Sequence, residues 1–389
     1  MDSHMTEWVT AYIGLGSNLG DRAGTIRAAL QMLGGNGSIE VTRVSDLQET
    51  VPLGQMAQPN YLNGVAEIRT RLEAQELLRR FKATETALGR QPDAKWASRT
   101  IDLDLLLYGD RIVHENGLVV PHPDVPLRSF VLEGLCQLNP GLIHPLLQEP
   151  MSELLQRLNG GNFVLNPGAP QLISVAGVIG VGKTTLAKKL GEVLRAPVLF
   201  EPYDTNPFLP EVYAGKSELA LDSQLYFLVY RSQQLGKDAL PAGRATVTDY
   251  VFDQEMIYAR RLLNPTQLGL YESIYGPFSQ RVATPALVIH LQDSPAHCLE
   301  RIRRRNRPYE QGVTLAFLKA LDGDYRRMFE GWKVCPVLRV PAARLTGYAE
   351  AVVEHLIAQV RAYIATKTES GEATQNRVYS GHAGSNDNS

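Results

Sequence analysis

The chain has 389 residues, 44% of them apolar and 21% charged, with a formal net charge of −2 at pH 7. That length exceeds what one ordinary core organises, so two domains are expected, and the near-neutral charge supplies no global field for nucleic acid or an anionic membrane. No stretch is apolar for long enough to span a bilayer, and Cys136, Cys298 and Cys335 are too scattered for a metal or redox motif, which points to reduced thiols in a cytoplasm.

In chain order, Asp2, His4 and Glu7 interrupt the N-terminus, so no signal peptide is expected, and Met1-Asp-Ser-His4 ahead of Met5 reads as a cloning remnant. Residues 10–15 read as a strand. Asp21 can cap a helix carrying Ile26, Leu30 and Leu33. Residues 39–44 and 61–69 read as strands, 74–88 as a helix with Leu77, Leu78, Phe81 and Leu88 on one face, and 101–108 as a fourth strand. The order βαββαβ predicts a ferredoxin-like α+β sandwich with helices on one face of an antiparallel sheet.

The run Arg99-Thr-Ile-Asp102-Leu-Asp104 places two carboxylates on one face of that fourth strand and Ile101, Leu103 and Leu105 on the other. Taken alone, the pair reads equally well as solvated acids or as a site for a divalent cation, which hard oxygen ligands such as these suit. Arg90, Lys95, Arg99 and Arg128 flank it in sequence, with His122 in a Pro-His-Pro turn, and cations around a metal-binding pair are what a polyphosphate needs.

These residues, with Gly14-Leu-Gly16-Ser-Asn18, Pro52-Leu-Gly54, Pro59-Asn-Tyr61-Leu-Asn63, Trp96-Ala-Ser-Arg99 and Val120-Pro-His122-Pro-Asp124, resemble 6-hydroxymethyl-7,8-dihydropterin pyrophosphokinase of folate biosynthesis over about residues 9–157. The resemblance implies transfer of the β,γ-diphosphoryl group of ATP to a pterin hydroxymethyl group. It implies Asp102 and Asp104 as ligands of two Mg²⁺ ions. Arg90, Lys95, Arg99, His122 and Arg128 would face ATP, while Thr50, Leu53, Tyr61, Asn63, Trp96 and Phe130 would form the pterin site. Outside this constellation, Tyr61 and Phe130 read as ordinary core. The loop between Arg90 and Trp96 is less basic than the family's and one residue short.

The stretch from Leu158 to Pro170, rich in Gly, Asn and Pro, reads as an interdomain linker after a first domain at 5–157. A second domain is expected at 171–365, followed by a disordered polar tail at 366–389. Its strands are predicted at 172–176, 198–201, 245–249, 287–291 and 337–340, with helices between most of them. That alternation predicts a parallel sheet covered on both faces, with ligands at the carboxyl ends of the strands.

After the first of these strands comes Gly177-Val-Ile-Gly180-Val-Gly182-Lys183-Thr184-Thr185, opening a helix. Backbone N–H groups in such a loop converge on phosphate, the lysine reaches the outer phosphates and Thr184 suits Mg²⁺. Glu201 ends the second strand and reads as a general base for an attacking hydroxyl, or else as a capping or surface glutamate. Arg301, Arg305 and Arg307 follow the fourth strand and read as a lid over the triphosphate, or else as a solvated basic helix or nucleic-acid patch.

Residues 171–365 resemble the deoxynucleoside kinases, in particular bacterial purine-type members. The resemblance implies Glu201 as the base for the sugar 5′-hydroxyl, Tyr213 and Glu310 on the 3′-hydroxyl, Gln224 on the base edge, and the three arginines as the lid. One departure stands out: the family has Arg after the acidic residue that follows the third strand, whereas here Asp249 is followed by Tyr250. Asp249 is left to act on the metal or to orient Glu201, with Arg260 or Arg261 as candidate substitutes for the arginine. The expected protein is a bifunctional Mg-ATP-dependent transferase acting on small molecules, without nucleic acid or membrane partners, with deoxyadenosine favoured and a homodimer through the second domain implied by the resemblance. The alternatives for the second domain are a non-catalytic nucleotide-sensing module or a nucleic-acid end kinase.

Overall fold

The computed structural model describes residues 7–35, 37–52, 58–90, 98–115, 117–343, 345 and 350–365. The chain divides into two compact units, residues 1–164 and 165–389. Among the described residues, no helix is long and apolar enough to cross a membrane.

The first unit opens β1(Val9–Ser17), α1(Arg22–Gly34), β2(Ile39–Val44), β3(Gln48–Thr50), β4(Tyr61–Thr70), α2(Ala74–Ala87) and β5(Asp102–Tyr108). As expected, Asp21 caps α1, its carboxylate accepting from the Gly24 N–H at 2.9 Å. The sheet order is β2-β4-β1-β5 with every neighbour antiparallel, the ferredoxin-like arrangement, and β3 pairs with β4. Ile13, Leu15, Ala66, Ile68, Leu103 and Leu105 turn to one face and close a core with Ile26, Leu33, Leu77 and Phe81 of the two helices.

The chain continues through the hairpin β6(Val113–Glu115) and β7(Leu118–Val120), then α3(Ser129–Leu138), the short pair β8(Ile143–His144) and β9(Glu149–Pro150), and α4(Met151–Leu158). Here the structure corrects the one-sided sandwich. Helix α3 packs on the second face of the sheet, so closely that a Cβ on Gly134 would lie 2.6 Å from Val65. It covers the part of this face at β4, and the face at Gly14, Gly16, Asp102 and Asp104 borders a cavity. Next to the division between units, the Phe163 N–H bonds the Leu127 carbonyl at 2.8 Å and the Gly243 N–H bonds that of Ala169 at 2.8 Å, so each flank belongs to its own unit.

His144 supplies a pH test of this unit. Its Nδ1 accepts from the Leu147 N–H at 3.2 Å, and burial pushes the imidazole down to about 4 from its ordinary 6.5. The unfolded chain takes up this proton near neutrality and the folded chain does not. The stabilisation is therefore full above pH 6.5 and is lost as pH falls from 6.5 toward 4, by about 3 kcal/mol in all. His144→Asn keeps an acceptor where Nδ1 stands and is expected to flatten that limb. Thermal melts of both proteins across this range check it, and an equal decline in both would refute the assignment.

The second unit contains β10(Gln171–Ala176), α5(Lys183–Leu194), β11(Val198–Leu199), α6(Leu209–Tyr213), α7(Ala220–Gln234), β12(Ala245–Thr248), α8(Gln254–Leu262), α9(Pro265–Ser279), β13(Leu287–Gln292), α10(Pro295–Arg305), α11(Leu315–Glu330), β14(Val337–Pro341) and α12(Glu350–Ala362). Its five strands run parallel in the order β11-β12-β10-β13-β14. Every residue of β10 and β12 is buried, as central strands covered on both faces require. Strand β11 is shorter than expected and stops at Leu199, leaving Glu201 just past the carboxyl edge of the sheet.

Candidate active sites

In the first unit, β5 carries Asp102 opposite Gly16 and Asp104 opposite Gly14 of β1. The alternation that sends Ile13 and Leu15 into the core turns the two glycines toward the acids. Neither glycine has a side chain to fill the space. A Cβ on Gly16 would stand 2.8 Å from Asn63 Oδ1 and 3.8 Å from the Asp102 Cβ. The result is a cavity of about 290 Å³ lined by Gly14, Gly16, Thr50, Tyr61, Asn63, Arg99, Asp102, Asp104, His122, Arg128 and Phe130 among others.

Two arginines hold Asp102: Arg90 donates to Oδ1 at 2.6 Å and Arg99 to Oδ2 at 2.5 Å. Burial alone would raise this carboxyl, but Arg99 and Arg90 outweigh it and hold the group below its ordinary value. Asn63 donates to the Thr50 hydroxyl at 2.6 Å, and the Tyr61 hydroxyl donates to Gln58 at 3.3 Å. His122 Nδ1 accepts from the Asp124 N–H at 3.2 Å, and Asp124 pairs with Arg128. Leu53, Lys95 and Trp96, with the shortened loop after Arg90, lie outside the described residues.

Two supporting residues were not assigned a role from sequence. Asn18 accepts from the Arg99 N–H at 2.6 Å and so fixes the start of the acid-bearing segment. Glu85, buried on α2, accepts from the Leu103 N–H at 2.8 Å and pairs with Arg90 and Lys82. Its burial raises its pKa. The available signal was a carboxylate on the apolar face of α2, four residues after Phe81.

In the second unit, the glycine loop joins β10 to α5. Gly180 has φ +82°, and a Cβ there would stand 2.6 Å from the Cys298 carbonyl, so only glycine fits. Lys183 Nζ donates to the carbonyls of Gly177 at 2.9 Å and Val178 at 3.2 Å, and burial lowers its pKa. A cavity of about 440 Å³ begins at Gly180, Gly182, Lys183, Thr184 and Thr185 and runs past Glu201 to Tyr213, Gln224 and Glu310.

Asp249 links these parts. One oxygen accepts from the Thr184 hydroxyl at 2.6 Å and the other from the Glu201 N–H at 2.8 Å. Burial first, and then Glu201, raise its pKa. Arg301 pairs with Asp293 and donates to the Gly180 carbonyl at 3.3 Å. Arg305 donates to Glu310 at 2.7 Å, and Arg307 donates to the Tyr203 hydroxyl at 2.7 Å with its guanidinium 4.4 Å from that ring. Burial, then Glu201 and Glu310, raise the Tyr213 phenol well above its ordinary value.

Neither arginine offered as a substitute reaches this cavity. Arg260 is exposed beside Glu272, and Arg261 pairs with Asp324. Sequence reasoning passed over Arg231, which lies buried against Glu201 and Glu255.

Among the described residues, no three His, Cys, Asp or Glu side chains converge into a metal cage. The donor sets instead fit Mg²⁺, which takes one or two protein oxygens and completes its shell with water and substrate phosphates. Asp102 and Asp104 offer such oxygens in the first cavity, as do Thr184 and Asp249 in the second.

The 7,8-dihydro-6-hydroxymethylpterin-pyrophosphokinase family matches residues 12–140, and the deoxynucleoside kinase family matches residues 173–365. The 2-amino-4-hydroxy-6-hydroxymethyldihydropteridine pyrophosphokinase of Aquifex aeolicus is 39% identical over 144 residues, covering 37% of this chain and 89% of that protein. The protein of the same name from Haemophilus influenzae is 36% identical over 160 residues, covering 41% of this chain and 99% of its relative. In the other half, the deoxyguanosine kinase of Bacillus subtilis is 33% identical over 156 residues, covering 39% of this chain and 75% of that protein. With an acid pair beside arginines in one unit and a phosphate loop leading to a half-buried glutamate in the other, the chain belongs to two families at once, the hydroxymethyldihydropterin pyrophosphokinases through its first unit and the deoxynucleoside kinases through its second.

Proposed function

We propose that the first unit transfers the β,γ-diphosphoryl group of ATP to 6-hydroxymethyl-7,8-dihydropterin, leaving AMP. The second unit transfers the γ-phosphoryl group of ATP to the 5′-hydroxyl of a deoxynucleoside in nucleotide salvage, with deoxyadenosine preferred. The observation that carries the first reading is the acid pair facing two bare glycines, with Arg90 and Arg99 on Asp102. The observation that carries the second is the chain from Thr184 through Asp249 to Glu201 along one cavity.

In the first cavity, Asp102 and Asp104 would hold two Mg²⁺ ions, and Arg90, Arg99, His122 and Arg128 would bind phosphate oxygens. Thr50, Tyr61, Asn63 and Phe130 would seat the flat pterin, an aromatic face against its ring and an amide against its edge. In the second, one ion would lie at Thr184. The bound metal in either site offsets the charge of the triphosphate. Lys183 and the loop amides would hold the phosphates, Arg301, Arg305 and Arg307 would close over them, and Glu201 would take the proton of the 5′-hydroxyl while Tyr213 and Glu310 hold the sugar.

The preference for adenine rests on Gln224. It is 2% exposed, lines the cavity, and its Oε1 has no hydrogen-bond partner among the described residues. A buried acceptor left open is costly, and the adenine amino group would satisfy it while the Gln224 amide donates to a ring nitrogen. The name of the Bacillus subtilis relative favours guanine as the second reading. A panel of four deoxynucleosides with radiolabelled ATP tests both. Deoxyadenosine is expected to give the highest kcat/KM, and Gln224→Ala to lower it by about 10²-fold or more. Deoxyguanosine in first place would replace the adenine reading, and turnover of oligonucleotide ends alone would end the nucleoside reading altogether.

A further inference from the structure

We propose, independently of either transferase reading, that a cavity on the outer side of α8 binds a phosphorylated 2-aminopyrimidinone ring, the chemistry shared by guanine nucleotides and pterin diphosphates.

Helix α8 has a cavity on each side. Tyr258 and Leu262 line the one that runs from the phosphate loop. Asp253, at the N-terminal cap, and Met256, Ile257 and Arg260 recur at helical spacing on the opposite face and line a second cavity, of about 810 Å³. Tyr275 of α9, Met328 of α11 and Trp332 complete its walls. Among the described residues the two cavities share no lining side chain.

The fold leaves Asp253 unsatisfied. It is half-buried, burial raises its carboxyl, and only its own backbone N–H works against that rise. A carboxylate withdrawn from water without a partner is costly. The other acid of the cavity, Asp324, is occupied by Arg261 and Arg327, so it forms no cation cage with Asp253. An ionised carboxylate can only accept, and its two oxygens suit two parallel N–H donors. A ring N–H beside a 2-amino group presents that pair from a neutral ring.

The walls and the rim suit the rest of such a ligand. Met256 and Met328 are polarizable, and Tyr275 stacks on Phe252 with ring centres 5.6 Å apart, which makes a soft and aromatic lining for a flat heterocycle. At the rim, Arg260 is exposed with Glu272 no nearer than 3.9 Å. Lys333 is exposed and has no ion pair among the described residues. Two cations that the fold does not engage suit phosphate oxygens. They would repel an amine or a metal ion approaching Asp253, so neutral donors at one end and an anion at the other are selected together.

Equilibrium dialysis of the full-length chain tests this, with a non-hydrolysable ATP analogue and deoxyadenosine present at saturation to fill the sites already described. The probes are GMP, 6-hydroxymethyl-7,8-dihydropterin diphosphate, IMP and guanosine. We expect the parent to bind one more equivalent of GMP or of the pterin diphosphate than Asp253→Asn does, with both proteins melting alike. The tighter of those two probes names the source of the ligand. IMP lacks the 2-amino group and guanosine lacks the phosphate, and each should bind about tenfold more weakly than GMP, or worse. Arg260→Gln with Lys333→Gln, both on the surface, should weaken GMP binding by about tenfold. Equal equivalents in the parent and Asp253→Asn overturn the site, and IMP or guanosine binding as tightly as GMP overturns the ligand class. Should Asp253→Asn fail to fold, unchanged GMP affinity in the surface double variant overturns the proposal in its place.

Discussion

Asp104→Ala should abolish diphosphoryl transfer to the pterin, by about 10³-fold or more in kcat, while leaving the melting temperature of the first unit nearly unchanged. The expected separation of activity from stability follows from where each acid sits. Asp104 stands on the cavity face of β5 opposite Gly14, with no ion pair to it within bonding distance among the described residues, so alanine removes an oxygen donor without stranding a cation. Asp102 differs. It receives Arg90 and Arg99, and Arg90 also pairs with the buried Glu85. Removing that carboxylate would leave two guanidiniums facing each other, so Asp102→Ala should lose stability as well as activity. Release of AMP in the presence of the pterin, read beside thermal melts, distinguishes the two variants. An Asp104→Ala protein that unfolds in proportion to its lost activity would make the acid structural rather than a metal ligand.

The second large effect is expected at Glu201. Glu201→Gln should lower phosphorylation of every deoxynucleoside by about 10³-fold and leave ATP affinity within a factor of about three. Glutamine has nearly the same shape and keeps an oxygen for Arg231 and Gln254, but it cannot take a proton at neutral pH. ATP contacts should be spared because the loop of Gly177, Gly180, Gly182 and Lys183 is built from its own backbone, with Lys183 on its carbonyls rather than on Glu201. Calorimetric titration with ATP, alongside initial rates at saturating deoxynucleoside, measures both quantities. Unchanged rates would transfer the role of base elsewhere, with Asp249 next in line through its contact with the Glu201 backbone.

The two expectations differ in how far they depend on long-range structure. The acid pair is carried by alternate residues of one strand, and the phosphate loop by consecutive residues before one helix. In both, the spacing along the chain already sets the spacing in space, because strand and helix periods are fixed by backbone geometry. For the same reason, the capping aspartate of α1, the core face of α2 and the five parallel strands could be read ahead of the structure. The departure at Tyr250 was also legible, as a residue type out of place.

The cation that pairs with Glu201 was not legible. Arg231 meets Glu201 across 30 positions and Glu255 across 24, and nothing in the local pattern of α7 sets it apart from a surface arginine of a helix. Arg260 and Arg261 looked better placed because they are nearer in sequence, yet the turn of α8 carries them away from the cavity. The packing of α3 on the second face of the first sheet was hidden similarly, since Gly134 declares its purpose only when Val65 is found beneath it. The sequence by itself therefore determined the two folds, the two families and the residues whose chemistry is written in consecutive or alternating positions. The tertiary structure alone decided which cation pairs with the half-buried Glu201, because that choice depends on which helix faces the strand ends, and side-chain partners brought together by folding leave no periodic trace along the chain.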